Sequence, residues 1–282
     1  MRWLTFKTAR HRSYGYLSAD GQAVIDVGMR SDAPADLKAA LAADALEILA
    51  DSGAASPEHK LSQIEFEPPI PNPDKILCVG LNYKAHQEET GRGGEGVPTI
   101  FVRFGNAQVG HEQPMLRPRE SESLDFEGEI ALVIGKAGRR ISQAEAMTHV
   151  AGVSIYNDGS VRDYQRQTSQ FTPGKNFAGT GGFGPWIVTA DEIDDWNALE
   201  LTTRLNGEVM QHATSNMLVH GFAEIIEYCS TFTELVPGDV LVTGTPGGVG
   251  AARTPPIFMD AGDVIEVEVK PIGILRHRVA VD

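Results

Sequence analysis

Residues 124–136, LDFEGEIALVIGK, constrain the fold more than any other stretch of the chain. Branched and apolar side chains dominate it, the composition of a β-strand. Strand side chains alternate, so residues two apart share a face about 7 Å apart along the chain. Ile130, Leu132 and Ile134 fall on one face, Ala131 and Val133 on the other. A strand apolar on both faces belongs inside a sheet that is covered on both sides. Yet Glu127 and Glu129 begin the face that continues as Ala131 and Val133. Two like charges side by side in a dry setting repel unless a cation lies between them or one stays protonated.

The chain carries its own contrast. In residues 263–270, DVIEVEVK, the side chains of Val264, Glu266, Glu268 and Lys270 share one face, and Ile265, Val267 and Val269 share the other. That is a half-buried strand with a wet side, and its glutamates need only water. The spacing alone therefore does not decide whether Glu127 and Glu129 are surface decoration or a buried cluster.

Short strand-like pieces punctuated by glycine dominate from residue 74 onward, among them KILCVGL, TIFVRF, VAGVSIYND, PWIVTA and DVLVTGT. Asn206-Gly207 between two such arms is a hairpin signal. A helix is expected over about residues 216–230, with Leu218, Val219, Phe222, Ile225, Ile226 and Cys229 as its core stripe. A shorter one should start at Ser142, with Glu145 three residues on as a capping box. Residues 1–55 read as short strands followed by a helical stretch with Leu37, Leu41, Ile48 and Leu49 at helical spacing. SPEHK and the proline-rich EPPIPNPDK then read as a linker. The expectation is an α+β, β-rich fold with few helices that do not alternate with the strands, divided into a small N-terminal α/β domain (1–68) and a large catalytic domain (74–282).

The net charge of −14 argues against nucleic acid or an anionic membrane as the main partner. An anionic substrate would then need a local metal, or a lysine and arginine gathered in a pocket. The apolar runs fall far short of a membrane span, and MRWLTFKTAR lacks the apolar core of a signal peptide. With Cys78 and Cys229 both in apolar settings, reduced thiols and a cytoplasmic location are expected. Common catalytic motifs fail. GTGGFG at 179–184 is followed by a proline and a strand rather than a helix. GTPGGVG at 244–250 lacks the Lys-Ser/Thr ending of a phosphate loop, and there is no His-Glu-x-x-His, Cys-x-x-Cys or Gly-x-Ser-x-Gly.

What remains is a constellation. SIYNDGSVRDYQ ends an apolar strand on Asn157-Asp158. Read alone, Asp158 is a turn residue; read with Glu127 and Glu129, it is a third carboxylate of an all-oxygen site for a hard cation, Mg²⁺ first, with Mn²⁺ or Ca²⁺ as alternatives. In GLNYKAHQEETGR, His86 and Glu89 are three apart and become neighbours if the piece is helical. A carboxylate beside an imidazole fixes its tautomer and raises its basicity, although an exposed polar turn would carry the same letters. The GRGGEG that comes next reads as a hinge for a lid.

In this order, CVGLNYKAH, DFEGEIALVIGK, YNDGSVRDYQ, PGKNF and GDVLVTGTPGGVG make the chain resemble the fumarylacetoacetate hydrolase superfamily over most of residues 74–282. The resemblance implies a mixed β-sheet roll or sandwich. It implies a Mg²⁺ or Mn²⁺ site of Glu127, Glu129 and Asp158, and a water-activating dyad of His86 and Glu89 as in the acylpyruvase branch. Lys175 would be a cation facing the metal, and Arg162, Gln165 and Thr245 would hold the substrate's carboxylate and oxo groups. One departure is that FVRFGN stands where many members read FxKP, so Arg103, a planar fork in place of a compact ammonium, is expected at that wall of the pocket.

The activity expected is hydrolysis of the C–C bond of a 2,4-dioxo acid such as an acylpyruvate or fumarylpyruvate, in catabolism of aromatic or sugar acids. His86 would activate water and Lys175 with Gln165 would stabilise the oxyanion. Two alternatives stay open. One keeps the metal enolate without water, as in oxaloacetate-type decarboxylation, isomerisation or dehydration of a 2-oxo acid. The other is a binding protein with a vestigial site. A homodimer is implied by the resemblance, while residues 1–68 carry no recognisable chemistry.

Overall fold

Alternation along the glutamate strand organises the whole molecule. In the computed structural model, which describes residues 1–52, 56–93 and 96–282, the Gly128–Ile134 strand is buried along its full length. Ile130, Leu132 and Ile134 enter one hydrophobic core with Leu77, Val153, Ile155 and Ile225. Ala131 and Val133 enter another with Cys78, Tyr156 and Val242. Both faces are dry, as the pattern of branched residues requires.

That strand pairs antiparallel with Val150–Asp158 on one side and with Val240–Val242 on the other. Ile76–Gly80 adds in parallel to Val240–Val242, and Thr99–Arg103 closes that edge. In the other direction the sheet runs through Gly181–Thr189 into the N-terminal strands Arg2–Lys7, Arg12–Leu17, Ala23–Asp26 and Glu58–Lys60. The result is a twelve-stranded mixed sheet. Trp3, Tyr14 and Leu37 of the N-terminal segment share the core that holds Tyr156 and Phe183.

A second, five-stranded sheet contains Glu208–Thr214, Glu200–Leu205, Val264–Lys270, Gly273–Val281 and Met115–Arg117. Its inward residues Leu201, Val267, Val269 and Leu275 complete the first core. Gly128 lets the two sheets approach, since a Cβ there would lie 2.1 Å from Thr203 Oγ1. Asn206 and Gly207 form the expected hairpin, with φ of 52° and 84°. The β-rich, few-helix architecture read from the sequence is therefore the one observed.

The helices depart in detail. The main one spans Phe222–Phe232 and buries Phe222, Ile225, Ile226 and Cys229. Leu218 and Val219 stay extended because their backbones are taken: Leu218 bridges Tyr83, and Val219 N–H donates to Asn82 O at 2.8 Å. The N-terminal helical stretch breaks into Leu37–Ala42 and Leu46–Asp51, leaving Ile48 exposed. Helix Gln143–Ala146 does begin after Ser142, whose hydroxyl bonds to the Glu145 carboxylate at 3.1 Å rather than to the backbone. Residues 94 and 95 of the expected hinge lie outside the described residues. Among the described residues no helix is long and apolar enough to cross a membrane, and both cysteines are free and buried.

Candidate active site

Register brings the three carboxylates together. Gly128 pairs with Asn157 and Glu129 with Tyr156. The ladder continues past the strand's end, where Asp158 N–H donates to Glu127 O at 2.8 Å and Glu127 N–H donates to Asn157 Oδ1 at 3.0 Å. Glu127, Glu129 and Asp158 thus share one face, with carboxylate oxygens within 4.8 Å of one another. Their exposures are 5%, 2% and 0%, so water cannot solvate the charges.

Basic side chains answer them unevenly. Lys175 Nζ donates to Glu127 Oε2 at 2.6 Å and to Asp158 Oδ2 at 2.5 Å. Arg162 Nη2 lies 2.7 Å from Glu127 Oε1 as an ion pair, and its Nε donates to Asp125 Oδ2 at 2.8 Å. Arg103 pairs with Asp158 and donates to Gly159 O at 2.9 Å and Thr180 Oγ1 at 3.0 Å. Glu129 has no such cation; its hydrogen bond comes from Gly244 N–H at 2.5 Å. Gly244 sits at φ 104°, where a Cβ would lie 2.6 Å from Asn82 Cβ, so the residue that holds Glu129 must be glycine. Burial, then the neighbouring Asp158 and Glu127, push the Glu129 carboxyl well above its ordinary pKa. Burial would also raise Glu127, but Arg162 and Lys175 outweigh it and hold that carboxyl below the usual range.

Four buried carboxylates, counting Asp125, thus face three buried cations, Arg103, Arg162 and Lys175. Glu129 is the carboxyl left without a cation of its own, which is why its ionisation is suppressed. A compact set of hard oxygen donors, one of them lacking a cation, fits a hard divalent cation.

Helix Lys84–Thr90 supplies the facing wall. His86 Nδ1 lies 2.6 Å from Glu89 Oε1. Glu89 Oε2 in turn accepts from Gly248 N–H at 2.8 Å, which ties the helix to the glycine-rich loop. With Nδ1–H given to the carboxylate, Nε2 is left as the basic nitrogen.

Between the walls lies a cleft of about 330 Å³. His86, Glu89, Glu127, Glu129, Arg162, Gln165, Lys175 and Thr245, all anticipated from the sequence, line it with Phe101 and Phe171. Arg162 Nη1 donates to Gln165 Oε1 at 2.9 Å, while Thr245 Oγ1 donates to Gly128 O at 3.0 Å and accepts from Gln211 Nε2 at 2.7 Å. Asp158 and Arg103 stand one layer back. Arg103 is buried and its Nη1 and Nη2 donate to Asp158, Gly159 and Thr180, so it positions the carboxylate rather than facing the cleft.

Sequence reasoning passed over Asp125, which accepts from Gly250 N–H (2.8 Å), Ala251 N–H (2.9 Å) and Arg162. It also passed over Asn82, whose side chain donates to Thr243 O at 2.7 Å and His220 O at 3.0 Å and so joins the cleft's loops. Arg92 and Arg166 at the cleft were likewise not singled out. Asp125 carried a signal, being two residues before Glu127 in the same alternation.

Residues 75–280 match the family described as Fumarylacetoacetate (FAA) hydrolase C-terminal. The chain is 40% identical to a mitochondrial oxaloacetate tautomerase of Bos taurus over 220 residues, 77% of this chain and 70% of that one. It is 38% identical to the oxaloacetate tautomerase YisK of Bacillus subtilis over 225 residues, 78% of this chain and 75% of the other. Among solved structures, the fumarylacetoacetate hydrolase of the psychrophile Exiguobacterium antarcticum matches with a TM-score of 0.86 at 31% identity, covering 100% of both chains. The chain belongs to the fumarylacetoacetate hydrolase family.

Proposed function

We propose that this protein interconverts the keto and enol forms of a small 2-oxo dicarboxylic acid of the oxaloacetate type. The observation that carries the reading is a single acid–base dyad, His86 with Glu89, sharing one cleft with Glu127 and Glu129 of a buried carboxylate cluster. The tautomerase names of relatives 38–40% identical support an enol-forming reaction over the hydrolysis expected from the motifs.

Members of the family usually bind a divalent metal. Glu127, Glu129 and Asp158 would hold such an ion, Mg²⁺ first with Mn²⁺ or Ca²⁺ as alternatives, and it would supply Lewis-acid polarisation of the 2-oxo group. The chain's own residues account for the proton. His86 Nε2 takes it from C3 of the keto acid, and the C–H electron pair becomes the C2–C3 double bond. The 2-oxo oxygen gains a proton from solvent, so the net change is an isomerisation that consumes no water. Glu89 steadies the imidazolium that forms, and Lys175 sets positive charge beside the developing oxyanion. Arg162, Arg166 and Arg92 draw the substrate's carboxylates into a cleft whose volume, near the lower end of the usual range, suits a small acid.

Cleavage of a 2,4-dioxo acid is the second reading, favoured by the same dyad, since a histidine oriented by a carboxylate also activates water. One experiment separates them. Enol oxaloacetate is added to Mg²⁺-supplemented protein, and decay of the enol absorbance, exchange of the C3 protons with D₂O and release of pyruvate are followed together. Acetylpyruvate is run in parallel. Accelerated enol decay and exchange without pyruvate are the expected result. Pyruvate from acetylpyruvate, with the enol band unaffected, would overturn tautomerisation in favour of hydrolysis.

A further inference from the structure

Away from the cleft, the N-terminal strands gather a second set of ligand-type side chains. Asp26 ends the Ala23–Asp26 strand fully buried, and its Oδ2 lies 3.0 Å from His11 Nε2 and 3.1 Å from His59 Nε2. The three donor atoms come from three segments and lie within 4.8 Å of one another. His11 immediately precedes the Arg12–Leu17 strand, and His59 sits opposite Val24 on the Glu58–Lys60 edge strand.

The surroundings are those of a ligand set. Ser13 Oγ donates to Asp26 Oδ1, so the carboxylate is held with Oδ2 towards the imidazoles. Thr8 Oγ1 lies 3.2 Å from His11 Nδ1, the outer contact that orients a ligating imidazole. The Asp26 N–H donates to Pro57 O at 2.8 Å and fixes the segment that carries His59. The two histidine side chains are 24% and 25% exposed, which leaves an ion a path from solvent. Bonds of about 2.0–2.1 Å in a tetrahedron separate the donors by about 3.3 Å, so the nitrogen–oxygen spacings seen here need only a small outward shift to accept one.

We propose that His11, Asp26 and His59 bind a transition-metal ion of the Zn²⁺ class. Two imidazoles and one carboxylate form a borderline donor set that suits Zn²⁺, Co²⁺ or Ni²⁺ over Mg²⁺ and Ca²⁺. The ion clasps the edge strand and the first hairpin to the sheet. This role is structural and independent of the keto–enol reading.

The test uses the full chain, stripped with chelator and then held in excess Mg²⁺ to occupy the Glu127–Glu129–Asp158 cluster. Co²⁺ and Zn²⁺ are titrated in, while bound metal, the visible Co²⁺ absorption and the thermal midpoint are read. The expected result is one transition-metal ion per chain, visible bands of a nitrogen-ligated Co²⁺ and a raised midpoint. Glu127→Gln keeps this uptake. His59→Gln, which preserves a donor towards Asp26, weakens it by at least about 10- to 100-fold, with enol turnover in Mg²⁺ unchanged. His11→Gln is an independent second variant. No uptake by the wild type, wild-type affinity in both His59→Gln and His11→Gln, or uptake lost with Glu127→Gln would each overturn the proposal and leave Asp26 as a hydrogen-bonded aspartate only.

Discussion

Glu127 and Glu129 share the two-residue spacing of Glu266 and Glu268, but the two pairs live in different dielectrics. On the outer face of the five-stranded sheet, the side chains of Glu266 and Glu268 are 28% and 23% exposed and meet Arg276 at 3.4 Å and Arg204 at 2.8 Å. Inside the large sheet, Glu127 and Glu129 are 5% and 2% exposed, and Arg162 and Lys175 beside Glu127 are buried with them. Exposed ion pairs contribute about 0–1 kcal/mol. Buried charges persist only where partners balance them, and removing one partner leaves the other stranded. The glutamates themselves do not announce the difference. Their apolar neighbours do: Ile130 to Ile134 is apolar on both faces, whereas Ile265 to Val269 alternates.

Glu127→Ala is the largest break available in that comparison. It leaves Arg162 paired with Asp125 alone and Lys175 paired with Asp158 alone, each short of one buried hydrogen-bonding partner, so unfolding by urea should show a loss of about 1–3 kcal/mol. Turnover in the enol assay should fall at least about 10³-fold, the equivalent of about 4 kcal/mol of lost charge stabilisation. Glu266→Ala, run alongside, should stay within about 0.5 kcal/mol and retain full activity. If the two variants behave alike, the burial contrast has no energetic content. Next in size is His86→Ala, expected to lower kcat by about 10²- to 10⁴-fold with little change in the unfolding midpoint. An activity loss matched by loss of fold would remove His86 from the chemistry.

Both sites of substitution could be found from local sequence. Strand periodicity exposed the carboxylate face because Glu127, Glu129 and the apolar run obey one alternation. Helical spacing exposed the dyad because His86 and Glu89 are three apart on one short helix. Legibility ended where partners are distant in the chain. Asp125 belongs to the same alternation, yet its hydrogen bonds go to Gly250 and Ala251, which no nearby pattern announces. Arg103 reads as a pocket residue from its motif, but the depth at which it sits depends on how the Val150–Asp158 and Gly181–Thr189 strands pack. The strands Arg2–Lys7, Arg12–Leu17 and Ala23–Asp26 were readable one by one, whereas Glu58–Lys60 lies largely in a stretch that reads as linker, and the pairing of Arg2–Lys7 with Gly181–Thr189 is long-range.

The inner face of the five-stranded sheet sharpens the comparison through pH. His277 pairs with Ile265 in the ladder and, like it, points inward, donating Nδ1–H to Gln113 O at 2.9 Å while its buried Nε2 has no partner. Burial, with a smaller push from His111, lowers its pKa to about 4. Burial and then Arg276 lower His111 to about 4 as well. Both folded values lie below the unfolded value of about 6.5, so between them the unfolded chain binds more protons. Stability is intact above about pH 6.5 and declines as pH falls towards 4, by about 2 kcal/mol per histidine between about pH 7 and about pH 5. Urea unfolding at those two pH values should show the loss, and His277→Gln should remove roughly half of it. The same slope in wild type and variant would mean that His277 is not kept neutral by its burial.

The smallest effect tests the wet side itself. A double-mutant cycle on Arg204 and Glu268, using Arg204→Ala and Glu268→Ala, should give a coupling of about 0.2–1 kcal/mol. Raising the salt to about 1 M, where the screening length shrinks to about 3 Å, should reduce that coupling towards zero. The Lys175–Glu127 pair, closed off from solvent ions, should keep its coupling at the same salt. A coupling above about 2 kcal/mol for Arg204 and Glu268, or one indifferent to salt, would mean that this pair is desolvated despite its exposure. The two glutamate pairs would then differ in degree rather than kind, and the lack of a cation beside Glu129, not its burial, would be what sets the inner pair apart.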